Sequence, residues 1–329
     1  MKFDEPVTLE ATYRIVTPMF LGDFDRHARQ LSAGSIKGAL RFWWRALNWA
    51  RIRTEITNDD AALQQLHQNE AAIFGLASND QLSHKSLFTL HVETPSKLEV
   101  IQDWPPSDPN NSSAYLGYGL TGGSSSPHRD AFKENQKFQI KLLLGRSLSP
   151  EQQESVRDAL IIWGLLGGLG SRARRGFGSV AMDTLGNDSW PILTQQTWQD
   201  KLNTICAGYR VSELKELPPF TAFSKYSVIK ILNVADNPRK VHASLGGNYK
   251  DFRKSLPRAD RVPFGLPLKD EENVKRRASP CMFHIHPISK EYVAAAIYLP
   301  SKFHHQIPQG DAISYFDNIA KFIELRRHP

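Results

Sequence analysis

One run of residues has the composition and spacing to hold an anion: Gly168-Leu-Gly-Ser-Arg-Ala-Arg-Arg-Gly-Phe-Gly178. Two glycine–apolar–glycine units bracket five residues, and Arg172, Arg174 and Arg175 stand among those five. Glycine accepts positive φ and lets a second backbone approach closely, and successive amides in such a turn form an anion-binding concavity. Arginine forks match phosphate geometry. The spacing therefore predicts a phosphate-holding loop pivoting on Gly168, Gly170, Gly176 and Gly178. The plainer alternative is a helix-to-strand connection with solvated arginines. No Gly-Lys-Ser/Thr closes the run, and no first strand precedes it as in a dinucleotide fingerprint, so neither ATP nor NAD is called for.

Charge points the same way. Lys and Arg number 41 against 34 Asp and Glu, a net +7. Arg26 to Arg53 holds seven of those cations and no acid, so the rest of the chain balances at 34 of each sign. A net charge confined to 28 residues is the footprint of a polyanion partner more than of general basicity. At 100° per residue, Lys37, Arg41 and Arg45 form a ridge flanked by Trp44, while Ile36, Ala39, Leu40, Trp43, Leu47 and Ala50 gather on another face. The ridge reads either as a solvated helix face or as a track for a sugar–phosphate backbone, with Trp44 placed to stack on a base.

Other reactive residues are sparser. Asp23 and Asp25 are paired carboxylates that could bind a divalent ion or act as acid and base, though turn residues are the simpler reading, and His27 beside them is the best candidate for acid–base cleavage of RNA. Tyr115-Leu-Gly-Tyr118-Gly is either a base-stacking platform or a strand end with core tyrosines. Cys281, His284 and His286 are potential ligands without an evident fourth, so a polar strand face is the simpler reading and no metal is assigned. No serine-hydrolase, zincin or kinase motif occurs.

The elements that must position these residues follow from periodicity. Residues 8–16 alternate as a strand, and Ser35 is the expected cap of a helix over 36–56. A helix over 59–74, strands over 86–93 and 138–144, a helix from Pro150 to Leu166 and a strand over 179–184 follow. The order β-α-β-β-α-β is the ferredoxin-like arrangement. Residues 103–130, rich in Pro, Gly, Ser and Asn, read as a long, partly mobile excursion. The second half repeats the outline more weakly: a helix over 190–207, a strand over 226–234, a basic segment over 239–261, a hairpin over 281–299 and a helix over 311–326. The expectation is an α+β chain of two tandem ferredoxin-like (RRM-like) domains, residues 1–190 and 191–329, the second degenerate and short of its last strand.

Composition bounds the rest. With 40% hydrophobic residues the chain buries a real core, and its longest weakly polar run is far short of the roughly 20 apolar residues of a bilayer span. Two cysteines are too few for a disulfide framework, and the first residues lack a signal-peptide layout, so the expected setting is cytoplasmic and reduced.

The blocks Thr17-Pro-Met-Phe-Leu-Gly22 and Gly34-Ser-Ile-Lys-Gly-Ala-Leu-Arg-Phe-Trp-Trp-Arg-Ala46 resemble the RAMP superfamily of CRISPR-associated RNA-binding proteins, and within it the first-subunit family of Cmr (type III-B) effector complexes. Tyr115 to Gly119, the arginine-bearing glycine loop, and Pro263-Phe-Gly-Leu-Pro267 with Arg276-Arg-Ala-Ser-Pro280 agree with it. The resemblance implies two ferredoxin-like domains, binding of CRISPR RNA and target RNA, assembly with other RAMP subunits, and a place at the end that holds the 3′ portion of the guide. It implies a structural role, since target cleavage in that family belongs to the backbone subunit. The alternative is a metal-independent endoribonuclease that processes precursor CRISPR RNA with His27.

Overall fold

A computed structural model describes residues 7–22, 27–76, 85–94, 97–108, 110–121, 129–266, 268, 277–302 and 317–324. The first half runs β1 (Thr8–Ile15), α1 (Ala33–Glu55), α2 (Asp59–Phe74), β2 (Phe88–Glu93), β3 (Val100–Ile101), α3 (Ser112–Leu116), β4 (Ala131–Phe132), β5 (Lys137–Leu144), α4 (Pro150–Leu166), β6 (Val180–Leu185) and β7 (Asp188–Ser189). The second half adds α5 (Gln195–Gly208), β8 (Val228–Ala235), α6 (Pro238–Ser255), β9 (Cys281–Ile288), β10 (Glu291–Tyr298) and α7 (Asp317–Glu324).

The large sheet has the order β2-β5-β1-β6-β7 and is antiparallel throughout, with Ala11 opposite Ile140 on one side and Tyr13 opposite Met182 on the other. Alternation in β1 and β5 turns Tyr13, Ile15, Phe138 and Ile140 inward, where Tyr13 stacks on Phe138 and tilts against Trp163 of α4. α4 begins at a full capping box, Ser149 with Gln152 behind Pro150, as the proline predicts; such a cap contributes about 1 kcal/mol.

α1 starts three residues earlier than expected, because the Ser32 hydroxyl, and not that of Ser35, accepts the amide of Ser35 at 3.3 Å. The helix is also far more enclosed than an amphipathic reading allows. Ile36, Leu40, Trp43, Leu47 and Ala50 are buried as predicted, and so are Trp44, Ala46, Asn48, Trp49 and Ile52. Packing against both α4 and α2 closes all but a narrow side.

The smaller sheet has the order β8-β10-β9, three strands among the described residues. Its strands β9 and β10 are buried almost throughout because both of their faces are covered, whereas β8 at the edge is only half-buried. Met282, Ile288, Val293, Ala295 and Ile297 enter the same core as β1 and α4, while Cys281, Phe283, Ile285, Ala294 and Ala296 enter a second core closed by α6 and α7. The two halves are therefore welded along one sheet face.

The 103–130 excursion departs from expectation. Asn111 caps α3 through its side-chain Oδ1, and α3 lies so tightly on α6 that a Cβ on Gly246 would sit 2.4 Å from the Ser112 carbonyl. The basic segment over 239–261 is mostly helix α6, capped by Asn237. Asp23, Asp25 and residues 122–128 lie outside the described residues.

Candidate nucleic-acid interface

The glycine loop is a pinch. The amide of Leu169 donates to the Gly178 carbonyl at 2.9 Å, the amide of Gly178 to Pro18 at 2.9 Å, and the amide of Ser171 to Phe20 at 2.8 Å. Gly170 and Gly178 are the positions at which this requires glycine. Their φ values are +91° and +58°, and a Cβ would lie 2.5 Å from the Phe20 carbonyl at the first and 2.1 Å from the Leu169 carbonyl at the second. The intervening apolar residues are anchors: Leu169 enters the first core and Phe177 the second, against Phe20, Trp104 and His242. Thr17 finishes the join, its hydroxyl donating to Gly176 at 2.7 Å and accepting from the Ser179 amide at 3.0 Å.

The three arginines diverge. Arg172, in the left-handed region at φ +62°, is exposed and gives its guanidinium to the Tyr118 carbonyl. Arg174 lies over the Phe42 ring at 5.2 Å, while its own carbonyl accepts the Phe283 amide at 3.1 Å. Burial first, then the charges of Arg175 and Arg277, push the Arg174 guanidinium down to about 10. No carboxylate pairs with it among the described residues. Arg175 points inward between Tyr249 and Phe283, at 4.9 and 5.7 Å, and donates to the Phe264 carbonyl at 3.1 Å. It braces the second core with only part of its surface exposed, which corrects the expectation of three outward-facing arginines. Arg277, absent from the sequence expectation, brings a fourth cation beside Arg174 while held by Ser301 at 2.8 Å. Its signal was the Arg276-Arg277 pair in the C-terminal block.

The helix ridge is less open than its sequence suggests, and its tryptophan is sealed. Glu70 of α2, 3% exposed, accepts from Arg41 at 2.5 Å and from Arg45 at 2.7 Å. Lys37 lies over the Phe88 ring at 5.0 Å, and burial with the nearby Arg41 lowers its pKa. Trp44 is 2% exposed, edge-on to Phe74, and gives its indole N–H to Ser155 at 2.9 Å. No base can reach it. The acid-free window was real in sequence, but a single acid from the next helix pairs with two of its arginines.

Tyr115 and Tyr118 separate. The Tyr115 hydroxyl accepts from Arg253 at 2.9 Å, whereas Tyr118 is 79% exposed. The Cys281, His284 and His286 trio cannot converge: Cys281 faces the second core, and His284 and His286, on the opposite face, bond each other at 3.2 Å beneath Trp198. Burial holds both imidazoles neutral, His286 down to about 3. His27 Nδ1 meets Asp130 at 2.8 Å on the wall of a cavity of about 790 Å³ that Arg29 and Lys97 also line. Burial alone would raise the Asp130 carboxyl, but bonds from Gln102, His27 and the Ala28 amide outweigh it and hold the group below the usual range.

A β1–α1 connection latched to an arginine-bearing glycine loop, on an antiparallel α+β frame, defines the class: the chain belongs to the RAMP superfamily, whose profile matches residues 12–181. Within it, the chain is 26% identical over 325 residues to CRISPR system Cmr subunit Cmr1-1 of Pyrococcus furiosus, covering 92% of this chain and 90% of the relative. The fold matches the apo crystal structure of Cmr1 from Pyrococcus furiosus with a TM-score of 0.65 at 20% identity, covering 97% of each chain. It also matches a chain of the type III-B Cmr-beta complex bound to cognate target RNA, with a TM-score of 0.63 at 13% identity over 97% of this chain and 100% of that one. No helix among the described residues is long and apolar enough to cross a membrane.

Proposed function

We propose that this chain is a structural subunit of a type III-B CRISPR effector, and that its arginine-bearing glycine loop holds the ribose–phosphate backbone of guide or guide–target RNA near the 3′ portion of the guide, beside other RAMP subunits. We read its two sheets as two ferredoxin-like units meeting near residue 190. The observation that carries the reading is Arg174: a half-enclosed guanidinium with the charges of Arg175 and Arg277 beside it, Arg172 two residues before it in the same loop, and no carboxylate partner among the described residues. Like charges gathered in a partly desolvated place lower their mutual repulsion most by taking up an anion. The relatives agree in kind, since one solved complex that contains such a chain is bound to cognate target RNA.

Such contacts position a strand without reading its sequence. For single strands, log K falls with log salt by about 0.7 per phosphate neutralised. Replacing Arg172 and Arg174 with alanine should flatten that slope by about one contact or more and weaken all sequences alike; an unchanged slope and affinity would overturn the reading. Cleavage of a precursor transcript by the wild-type chain in EDTA, lost in His27→Ala, would replace the non-catalytic half of it with the endoribonuclease alternative.

A further inference from the structure

Tyr118 is the most exposed large apolar side chain among the described residues, at 79%. Exposure alone carries no meaning on a loose tip, but this position is braced from four directions. Leu116 and Leu120 on either side are buried at 3% and 1%. The Gly117 amide donates to Ser113 at 2.9 Å, and its carbonyl accepts from Leu120 at 2.8 Å. Gly117 lies so close to the glycine loop that a Cβ there would sit 2.8 Å from the Phe177 ring. Arg172 of that loop then bonds the Tyr118 carbonyl. The backbone is clamped while the phenol ring is held out in water, next to Arg172 of the loop that carries the proposed backbone contact.

We propose that Tyr118 is a seat for one unpaired nucleobase of a single RNA strand, with the flanking phosphates running over Arg172 and Arg174. The proposal rests on the RNA reading above and narrows its ligand. A paired base is already stacked between its neighbours and hides both faces, so a duplex reaches the arginines but cannot use the ring. An unpaired base exposes a π-face and stacks on an aromatic side chain whatever its identity. The ring therefore sorts single strands from duplexes without sorting sequences. The left-handed conformation at Arg172 aims its guanidinium at the Tyr118 backbone and so fixes the spacing between ring and loop.

The test measures binding of the full chain to a fluorescein-labelled 12-nucleotide single-stranded RNA and to the same sequence as a blunt duplex, at several salt concentrations. Tyr118→Ala should weaken the single strand by about 5- to 150-fold, the span contributed by one base–aromatic stack. It should leave duplex affinity and the salt slope unchanged, and Tyr118→Phe and Tyr118→Trp should retain wild-type affinity. Loss of folding is not a concern at so exposed a ring, and an unshifted Tm confirms it. Single-strand affinity unchanged in Tyr118→Ala, equal weakening of the duplex, or loss in Tyr118→Phe overturns the seat. The two readings fail separately: if Arg172→Ala/Arg174→Ala weakens binding and Tyr118→Ala does not, only the seat falls. If neither has an effect, the RNA reading falls with it.

Discussion

His242 holds the backbone carbonyl of Arg175 at 2.9 Å through Nε2. A carbonyl only accepts, so Nε2 carries the proton and Nδ1 accepts from the Ser113 hydroxyl at 3.0 Å. The ring is fully buried between Trp104 and Phe177. One imidazole thus ties the glycine loop, α3 and α6 together, and its burial keeps it in the neutral form.

Acid should undo it. Burial lowers His242 to about 4, only partly offset by the Arg175 carbonyl, and lowers His286 to about 3, with His284 depressed as well. Unfolded histidine titrates near 6.5, so below that pH the unfolded chain binds protons that the folded chain refuses. Stability is whole above about pH 6.5 and declines as pH falls toward 4, with His242 alone withdrawing about 3 kcal/mol by pH 4. Urea midpoints at pH 7.5, 6, 5 and 4.5 should fall progressively, and His242→Gln should flatten the profile.

Glu70 makes Arg41 and Arg45 structural. Replacing both arginines with glutamine leaves a buried carboxylate without its cations and should cost about 3 kcal/mol or more. The salt dependence of RNA binding, measured on the folded fraction, should not change. Glu70→Gln is the converse: Tm falls by several degrees and RNA affinity holds or rises, because two cations are released. A flattened salt slope in the Arg41→Gln/Arg45→Gln protein would restore the helix as an RNA track.

Arg174 and Arg175 are neighbours with opposite duties. Arg175→Ala removes a guanidinium desolvated against two rings and should cost about 2 kcal/mol or more in a denaturant titration. Arg174→Ala gives up one ring contact and the repulsion of its like-charged neighbours, and should change stability by about 1 kcal/mol or less while weakening RNA. Equal stability losses in the two variants would contradict this division.

Much of the frame was legible before any coordinates. Strict alternation places Tyr13 and Ile15 on the inner face of β1, and Ser149-Pro150 marks the start of α4. Two glycine–apolar–glycine units announce a pinch because positive φ and close backbone approach are local demands on residue type. Where local chemistry misled, the competing partner was near at hand but not visible in the window: Ser32 offered its hydroxyl ahead of Ser35, and Asn111 stabilised a short helix inside a stretch whose composition suggested only a loop.

By itself, then, the amino-acid order determined the longer strands and helices of the first half, the glycine pinch and its RAMP membership, since each depends on backbone preference and on patterns a few residues long. Tertiary packing alone decided which cations are paired, which are enclosed and which stand free. Glu70 reaches Arg41 and Arg45 from a second helix, Trp44 is sealed by Phe74 and Ser155, and Arg175 turns into the core while Arg174, one residue earlier, rests on Phe42. Charge pairing and burial are sums over distant neighbours, and only the folded chain brings those neighbours within a few ångströms.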